Sequence, residues 1–255
     1  MLIHPLINQM RELNLLGMLQ AFEGLKQLPE AENLSFEERL SFLIEKEKSH
    51  REQRKLEGRL KKAKLRLSAC MEDIDYRTSR GLDKSLLREL AKGDWIAHKR
   101  NLAIIGPTGT GKSYLACALA HKACLLGFTA QFIKLSRVLE QFSLARVEGN
   151  YAKLLKDFCK IDLLVLDDWG SSPLNDQHRQ DLLELLDDRY DRLSTIVTSQ
   201  YDIKHWHKLI GDTTLADAIL DRLVHNAYKV IIKGDSMRKI QAKSIEAKEV
   251  ELKKK

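Results

Sequence analysis

No apolar run in these 255 residues approaches the roughly 20 that a membrane-spanning helix needs. Met1 to Leu25 lacks both a basic opening stretch and a continuous apolar centre, so it does not read as a secretory signal. The four cysteines, Cys70, Cys117, Cys124 and Cys159, stand too far apart for a Cys-x-x-Cys zinc site. Cys117 and Cys124 fall on one helical stretch, where small buried residues are the better explanation. These absences predict a reduced, cytoplasmic protein with no membrane association. With only four prolines and 13 glycines, nothing suggests long disorder. His205 and His207 flank Trp206, but no nearby cysteine or third histidine completes a metal centre. No serine stands with a spaced histidine and acid as a nucleophilic site requires.

Charge, by contrast, is plentiful and unevenly placed. Between Lys46 and Arg66 stand ten Lys or Arg against three Glu, a surplus equal to the +7 of the whole chain. Arg51, Arg54, Lys55, Arg59, Lys61, Lys62, Lys64 and Arg66 are therefore candidate contacts to a nucleic-acid phosphate backbone. A solvated helix face is the alternative reading of the same run. Aromatic residues are absent from it, which argues against base stacking and sequence readout there.

The strongest motif is Gly106-Pro107-Thr108-Gly109-Thr110-Gly111-Lys112-Ser113. It follows the apolar run Leu102-Ala103-Ile104-Ile105 and opens into Tyr114 to Ala120, which reads as helix. Strand, glycine-rich loop and helix is the context that G-x-x-x-x-G-K-[ST] needs to bind a nucleoside triphosphate. The glycines let backbone N–H groups converge on a polyphosphate, and the helix N-terminus adds partial positive charge. The candidate ATP-binding residues are thus Gly106 to Ser113 with Tyr114. Lys112 is placed to reach the outer phosphates and Ser113 to offer a hydroxyl to Mg²⁺. A second apolar strand, from Ile161, ends in Asp167-Asp168. Asp167 is the candidate to orient the water shell of Mg²⁺, and Asp168 to polarise an attacking water.

Read in order, the chain predicts a helix from about Pro5 to Leu28, then a capping box at Ser35 to Glu38 opening a long helix to about Met71. Residues 1–72 read as a small all-helical domain, 73–83 as a linker and 84–255 as a larger α/β domain. In that domain a helix is expected over Lys84–Lys92 and another over Lys112–Leu126, with a strand at Gln131–Leu135. Ser136 is expected to cap a helix to Val147, followed by Tyr151–Phe158, His178–Tyr190, the strand Ser194–Gln200, and Thr214 to about Asn226. The strand Tyr228–Ile232 and a basic helix to the end complete the reading. Alternation of strand and helix predicts a parallel sheet flanked by helices.

The order of the phosphate loop, Leu164-Val165-Leu166-Asp167-Asp168, Thr198-Ser199-Gln200, Asp221-Arg222-Leu223 and Gly234-Asp235-Ser236-Met237-Arg238 resembles the AAA+ ATPases of the helicase-loader and initiator clade. Within that clade, nearly the full length resembles the IstB-like ATP-binding helpers of bacterial insertion-sequence transposition. The resemblance implies an AAA+ P-loop NTPase fold, and it implies ATP with Mg²⁺ as cofactors. It implies Ser199 or Gln200 as the γ-phosphate sensor, Arg222 as an arginine finger reaching a neighbouring subunit, and Arg238 as a second sensor. A surface arginine paired with Asp217 or Asp221 is the other reading of Arg222. The clade's extra helix corresponds to Ser136–Phe158, which makes Arg137, Arg146, Lys153 and Lys156 further candidate DNA contacts. Asp168 stands where many relatives carry Glu, which implies slow, timer-like hydrolysis, and the interval from Gln200 to Arg238 is short for the usual lid. The implied partners are double-stranded DNA, a transposase and further copies of the chain. A replicative helicase loader of the DnaC type is the alternative, and a small-molecule kinase a third.

Overall fold

The computed structural model describes residues 3–27, 33–76 and 80–237. Arg238, the expected C-terminal helix beyond it, Leu28 and Arg77 lie outside the described residues. By packing, the chain divides into two compact units, Met1–Gly58 and Arg59–Lys255.

In the first unit the expected single helix is two, α1 (Ile3–Glu12) and α2 (Leu16–Leu25). Asn14 takes the left-handed conformation (φ 54°), while Leu15 N–H bonds to Met10 O and Asn14 N–H to Arg11 O. That is a Schellman ending, with asparagine where glycine is commoner. The capping box forms as expected: Ser35 N–H donates to Glu38 Oε2 (2.7 Å) and Glu38 N–H to Ser35 Oγ (3.2 Å). It opens α3 (Phe36–Ala63), which stops short of Met71 where Lys64 turns the chain at φ 48°. The start of α2 rests on α3, for the Gly17 and Met18 N–H groups donate to the buried Glu47 carboxylate at 2.8 and 3.1 Å.

The second unit holds a five-stranded parallel sheet in the order β2-β3-β4-β1-β5. Its strands are β1 (Asn101–Ile105), β2 (Ala130–Lys134), β3 (Leu163–Trp169), β4 (Ser194–Ser199) and β5 (Ala227–Ile231). The helices are α4 (Lys84–Leu90), α5 (Asp94–Ala97), α6 (Lys112–Leu125), α7 (Leu135–Val147), α8 (Tyr151–Phe158), α9 (Asp176–Arg189), α10 (Trp206–Ile210) and α11 (Thr213–Val224). The helix expected to start at a Ser136 cap instead begins at Leu135, with no side-chain cap. Trp95 sits in the short α5, buried, its indole N–H on Leu90 O at 2.9 Å, so it packs the core. The described part of 73–83, read from sequence as a linker, belongs to this second unit, with Ile74 and Arg80 buried in it.

Burial on both faces explains the near-continuous apolar strands. Ala103, Ile105, Leu164, Leu166 and Val197 join a core with Val138, Phe142, Phe158, Leu182, Leu186, Ile219 and Leu223 from α7, α8, α9 and α11. The alternate residues, including Ile104, Leu163 and Val165, are equally buried, and α6 packs across β1 to β4. Because every strand is parallel, the carboxyl ends of β1, β3 and β4 meet at one edge, the usual location of a ligand crevice.

Candidate nucleotide site

At that edge the glycine-rich loop leaves β1 and enters α6. Close approach dictates its composition. A Cβ on Gly106 would lie 2.3 Å from Ile232 O, and one on Gly109 (φ 84°) would lie 2.2 Å from Ser236 Oγ. The loop is pinned from outside as well: Met237 N–H donates to Gly109 O at 2.9 Å, and the buried Arg80 donates to Thr110 O at 3.3 Å. Lys112 Nζ donates to Gly106 O (2.7 Å) and Pro107 O (2.8 Å), which holds the ammonium in the mouth of the loop. Tyr114 faces the segment at Cys70 to Asp73; burial first, then Asp73, raises the pKa of its hydroxyl.

The two aspartates diverge because the strand is irregular. Leu166 pairs with Val197 and Trp169 with Ser199, so Asp167 and Asp168 both oppose the single residue Thr198. This bulge, with Asp168 at φ 63°, lets neighbouring carboxylates take separate directions. Asp167 is fully buried, and its Oδ1 accepts the hydroxyls of Ser113 (2.7 Å) and Thr198 (2.6 Å). Its Oδ2 is buried and accepts no hydrogen bond among the described residues. Asp168 turns toward solvent and pairs with Lys134 Nζ at 2.8 Å. The donor set suits a hard divalent cation: a serine hydroxyl beside a carboxylate with one oxygen that accepts no hydrogen bond among the described residues, next to the glycine-rich loop.

Of the two sensor candidates, Gln200 faces the phosphate loop, its Oε1 accepting Thr108 Oγ1–H at 2.9 Å. Ser199 is buried and ties strands together, donating to Trp169 O and accepting from Tyr201 N–H. Thr198, to which the motif Thr198-Ser199-Gln200 gives no role of its own, joins both aspartates: its hydroxyl donates to Asp167 and accepts Asp168 N–H at 3.1 Å. Its place next to the carboxyl end of β4, opposite the strand that ends in the two aspartates, is the signal the sequence offers for it. Lys134 belongs to no motif, although it ends the strand beside β3, in register with Asp167.

The remaining candidates are spread more widely. Arg222 Nε donates to Asp187 Oδ1 on α9 at 2.5 Å, a different partner from the Asp217 or Asp221 that the sequence suggests. Arg51, Arg54 and Lys55 are exposed in the first unit; Lys61, Lys62 and Lys64 are exposed in the second. Arg59 instead donates to Cys124 O at 2.9 Å, a cation on the carbonyl end of α6. Arg66 lies 3.8 Å from Asp167. Lys153, Lys156 and Arg137 are exposed on α8 and α7. Arg146 is committed to the buried Asp181, which it meets through Nε and Nη2 while stacking on Tyr151 at 3.8 Å. His207 pairs with Asp217 at 3.3 Å.

The insertion sequence ATP-binding protein y4pL of Sinorhizobium fredii is 50% identical over 241 residues, spanning 94% of this chain and 98% of its own. The insertion sequence IS21 ATP-binding protein of Pseudomonas aeruginosa is 34% identical over 216 residues, spanning 85% of this chain and 82% of its own. Among solved structures, the DnaC helicase loader superposes with a TM-score of 0.55 at 22% identity, covering 67% of this chain and all of that one. That likeness bears out the expected AAA+ P-loop fold. The sequence profile of the IstB-like ATP binding proteins matches residues 8–245, and the chain belongs to that family.

Proposed function

We propose that this protein is a cytoplasmic ATP-hydrolysing regulator of DNA transposition, which assembles on duplex DNA and recruits or activates a transposase. The observation that carries the catalytic part is the convergence of Lys112, Ser113, Asp167, Asp168 and Gln200 at one edge of the sheet. Two insertion-sequence relatives that match over more than four-fifths of their length support the transposition context.

In this reading the loop N–H groups and Lys112 bind the phosphates, and Ser113 with Asp167 holds Mg²⁺, which supplies charge neutralisation to the phosphoryl group. Thr198 fixes the direction of Asp167. Asp168 orients the attacking water, and its release from Lys134 is a condition for that role. Gln200 senses the terminal phosphate beside Thr108, and Arg238 acts as a second sensor. Arg222 of an adjacent copy completes the site, so turnover depends on assembly. The helical region 1–72 supplies the DNA and partner contacts through the basic run of α3, aided by Lys153 and Lys156. The short Asp168 makes hydrolysis slow, and ATP turnover releases or redistributes the assembly.

The test is sizing of the full chain with ATP or ADP, with and without duplex DNA, alongside ATPase assays. Larger assemblies and faster hydrolysis with both ATP and DNA are expected. Full turnover by isolated protomers, indifferent to DNA, would overturn the proposal and favour a small-molecule kinase. Capture of a replicative helicase instead of a transposase would favour a loader.

A further inference from the structure

Among the described residues of the basic run, Arg66 alone is paired with a residue of the nucleotide site. Its guanidinium Nη1 is 3.8 Å from Asp167 Oδ2, the buried oxygen that accepts no hydrogen bond, while Oδ1 already accepts two. The Arg66 side chain is 48% exposed, so charge more than packing holds it there. Its backbone lies beside α6: burial raises the pKa of the Cys117 thiol, and the nearby backbone of Leu67 and Arg66 works against that rise. Arg59, in the last two turns of α3, is fixed to Cys124 O at the far end of α6. The stretch from Arg59 to Leu67 thus runs along α6, held at Arg59, with the Arg66 side chain reaching the aspartate.

A carboxylate removed from water needs a counter-charge. Arg66 offers one at the oxygen that remains, and a divalent cation at the same oxygen would bring twice the charge at shorter range while repelling the guanidinium. We propose that Arg66 is the resident counter-ion of Asp167, that it gives way when Mg²⁺ and nucleotide bind, and that this exchange makes the end of α3 responsive to nucleotide. The inference rests on the reading of Asp167 as the residue that holds Mg²⁺.

The experiment titrates Mg²⁺ against binding of a fluorescent, slowly hydrolysed ATP analogue to the full-length protein, its Arg66→Gln variant and its Asp167→Asn variant. Arg66→Gln should lower the Mg²⁺ concentration for half-maximal binding by about three- to fivefold, the scale of a half-exposed ion pair. Binding in EDTA should be unchanged, and Arg66→Lys should stay near the parent. In the unmodified protein, amide exchange at Arg66 and Leu67 should speed up when Mg²⁺ and the analogue are added together. That measurement needs no variant to fold. An unshifted Mg²⁺ requirement in Arg66→Gln, weaker binding in EDTA, or exchange indifferent to nucleotide would each overturn the proposal. If Asp167→Asn left the Mg²⁺ dependence intact, the assignment of Asp167 itself would fall. Loss of that dependence in Asp167→Asn without a shift in Arg66→Gln would sink the Arg66 proposal alone.

Discussion

Thr198 concentrates more of the site's order than any residue singled out from sequence. One hydroxyl sets the direction of Asp167 and satisfies the backbone of Asp168 across the bulge. Thr198→Val keeps the shape but leaves a buried carboxylate oxygen with one donor fewer and an amide without an acceptor. We expect a loss of about 1–3 kcal/mol in stability, read from the urea midpoint, and a larger fall in hydrolysis than in ATP affinity. Lys134 tests the opposite tendency. Its pair with Asp168 is two-fifths exposed on each side, so its removal costs little stability. Lys134→Ala should raise DNA-independent ATPase by up to about fivefold, because the carboxylate no longer has to leave a partner before it can orient water. A fall in that rate would mean the lysine positions the acid productively. The phosphate loop and the Asp-Asp pair were legible in sequence because each is a local pattern with a local cause. The role of Thr198, the place of Lys134 and the Arg66–Asp167 pairing were not, because each depends on pairing between strands or on a chain turn outside the local pattern.

At the scale of elements, two fastenings matter most. Arg189 ends α9 almost wholly buried, with no carboxylate bonded to it among the described residues. Its guanidinium donates to Phe158 O, Ile161 O, Ser194 O and Thr195 Oγ1, joining the α8–β3 turn to the start of β4. Burial pushes its pKa down to about 10. Arg189→Ala would strip four acceptors at once and open a cavity, at a cost of about 3–5 kcal/mol in chemical denaturation. The second fastening is Glu47 under α2. Burial works to raise its pKa, but hydrogen bonds from Arg51, Met18 and Gly17 outweigh it, so the folded carboxylate titrates below its ordinary value of 4.5. A depressed folded pKa gives stability that is complete above the ordinary value and lost as pH falls through the folded one. The α1–α3 unit should therefore loosen only below pH 4.5, seen as amide exchange at Gly17 and Met18, and Glu47→Gln should remove that pH dependence. The capping box, a sequence-local device, was readable here. The break at Asn14 was not, because apolar spacing continues across it and only the backbone reveals a left-handed residue.

At the scale of the whole molecule, the proposal that sites are completed between copies rests on Arg222. In one chain that guanidinium is occupied by Asp187 and by Ala218 O. Arg222→Ala should leave ATP binding intact but reduce DNA-stimulated hydrolysis by about 10³ or more, as loss of an arginine finger does elsewhere. Retained stimulation would dismiss shared sites. For DNA, replacing Arg54, Lys55, Lys61 and Lys62 by Ala should flatten the fall of affinity with salt by about 0.9 for each phosphate no longer neutralised. An unchanged slope would move the DNA-binding surface to the exposed lysines of α8. The parallel sheet was legible from alternating strand and helix signals. The division of the chain inside α3 was not, since the apolar and charged pattern runs through Gly58 without interruption.

The bulge that separates the two aspartates carries Trp169 immediately behind it, and that indole packs against Trp206 at a tilt, with ring centroids 5.1 Å apart. Only Trp95 completes the tryptophan complement, buried far along the chain in α5. The protein therefore has an optical reporter wired to its own acid. In a Trp95→Phe background, any rearrangement of Asp168 during turnover should register as a change in ultraviolet emission, without a label and in real time.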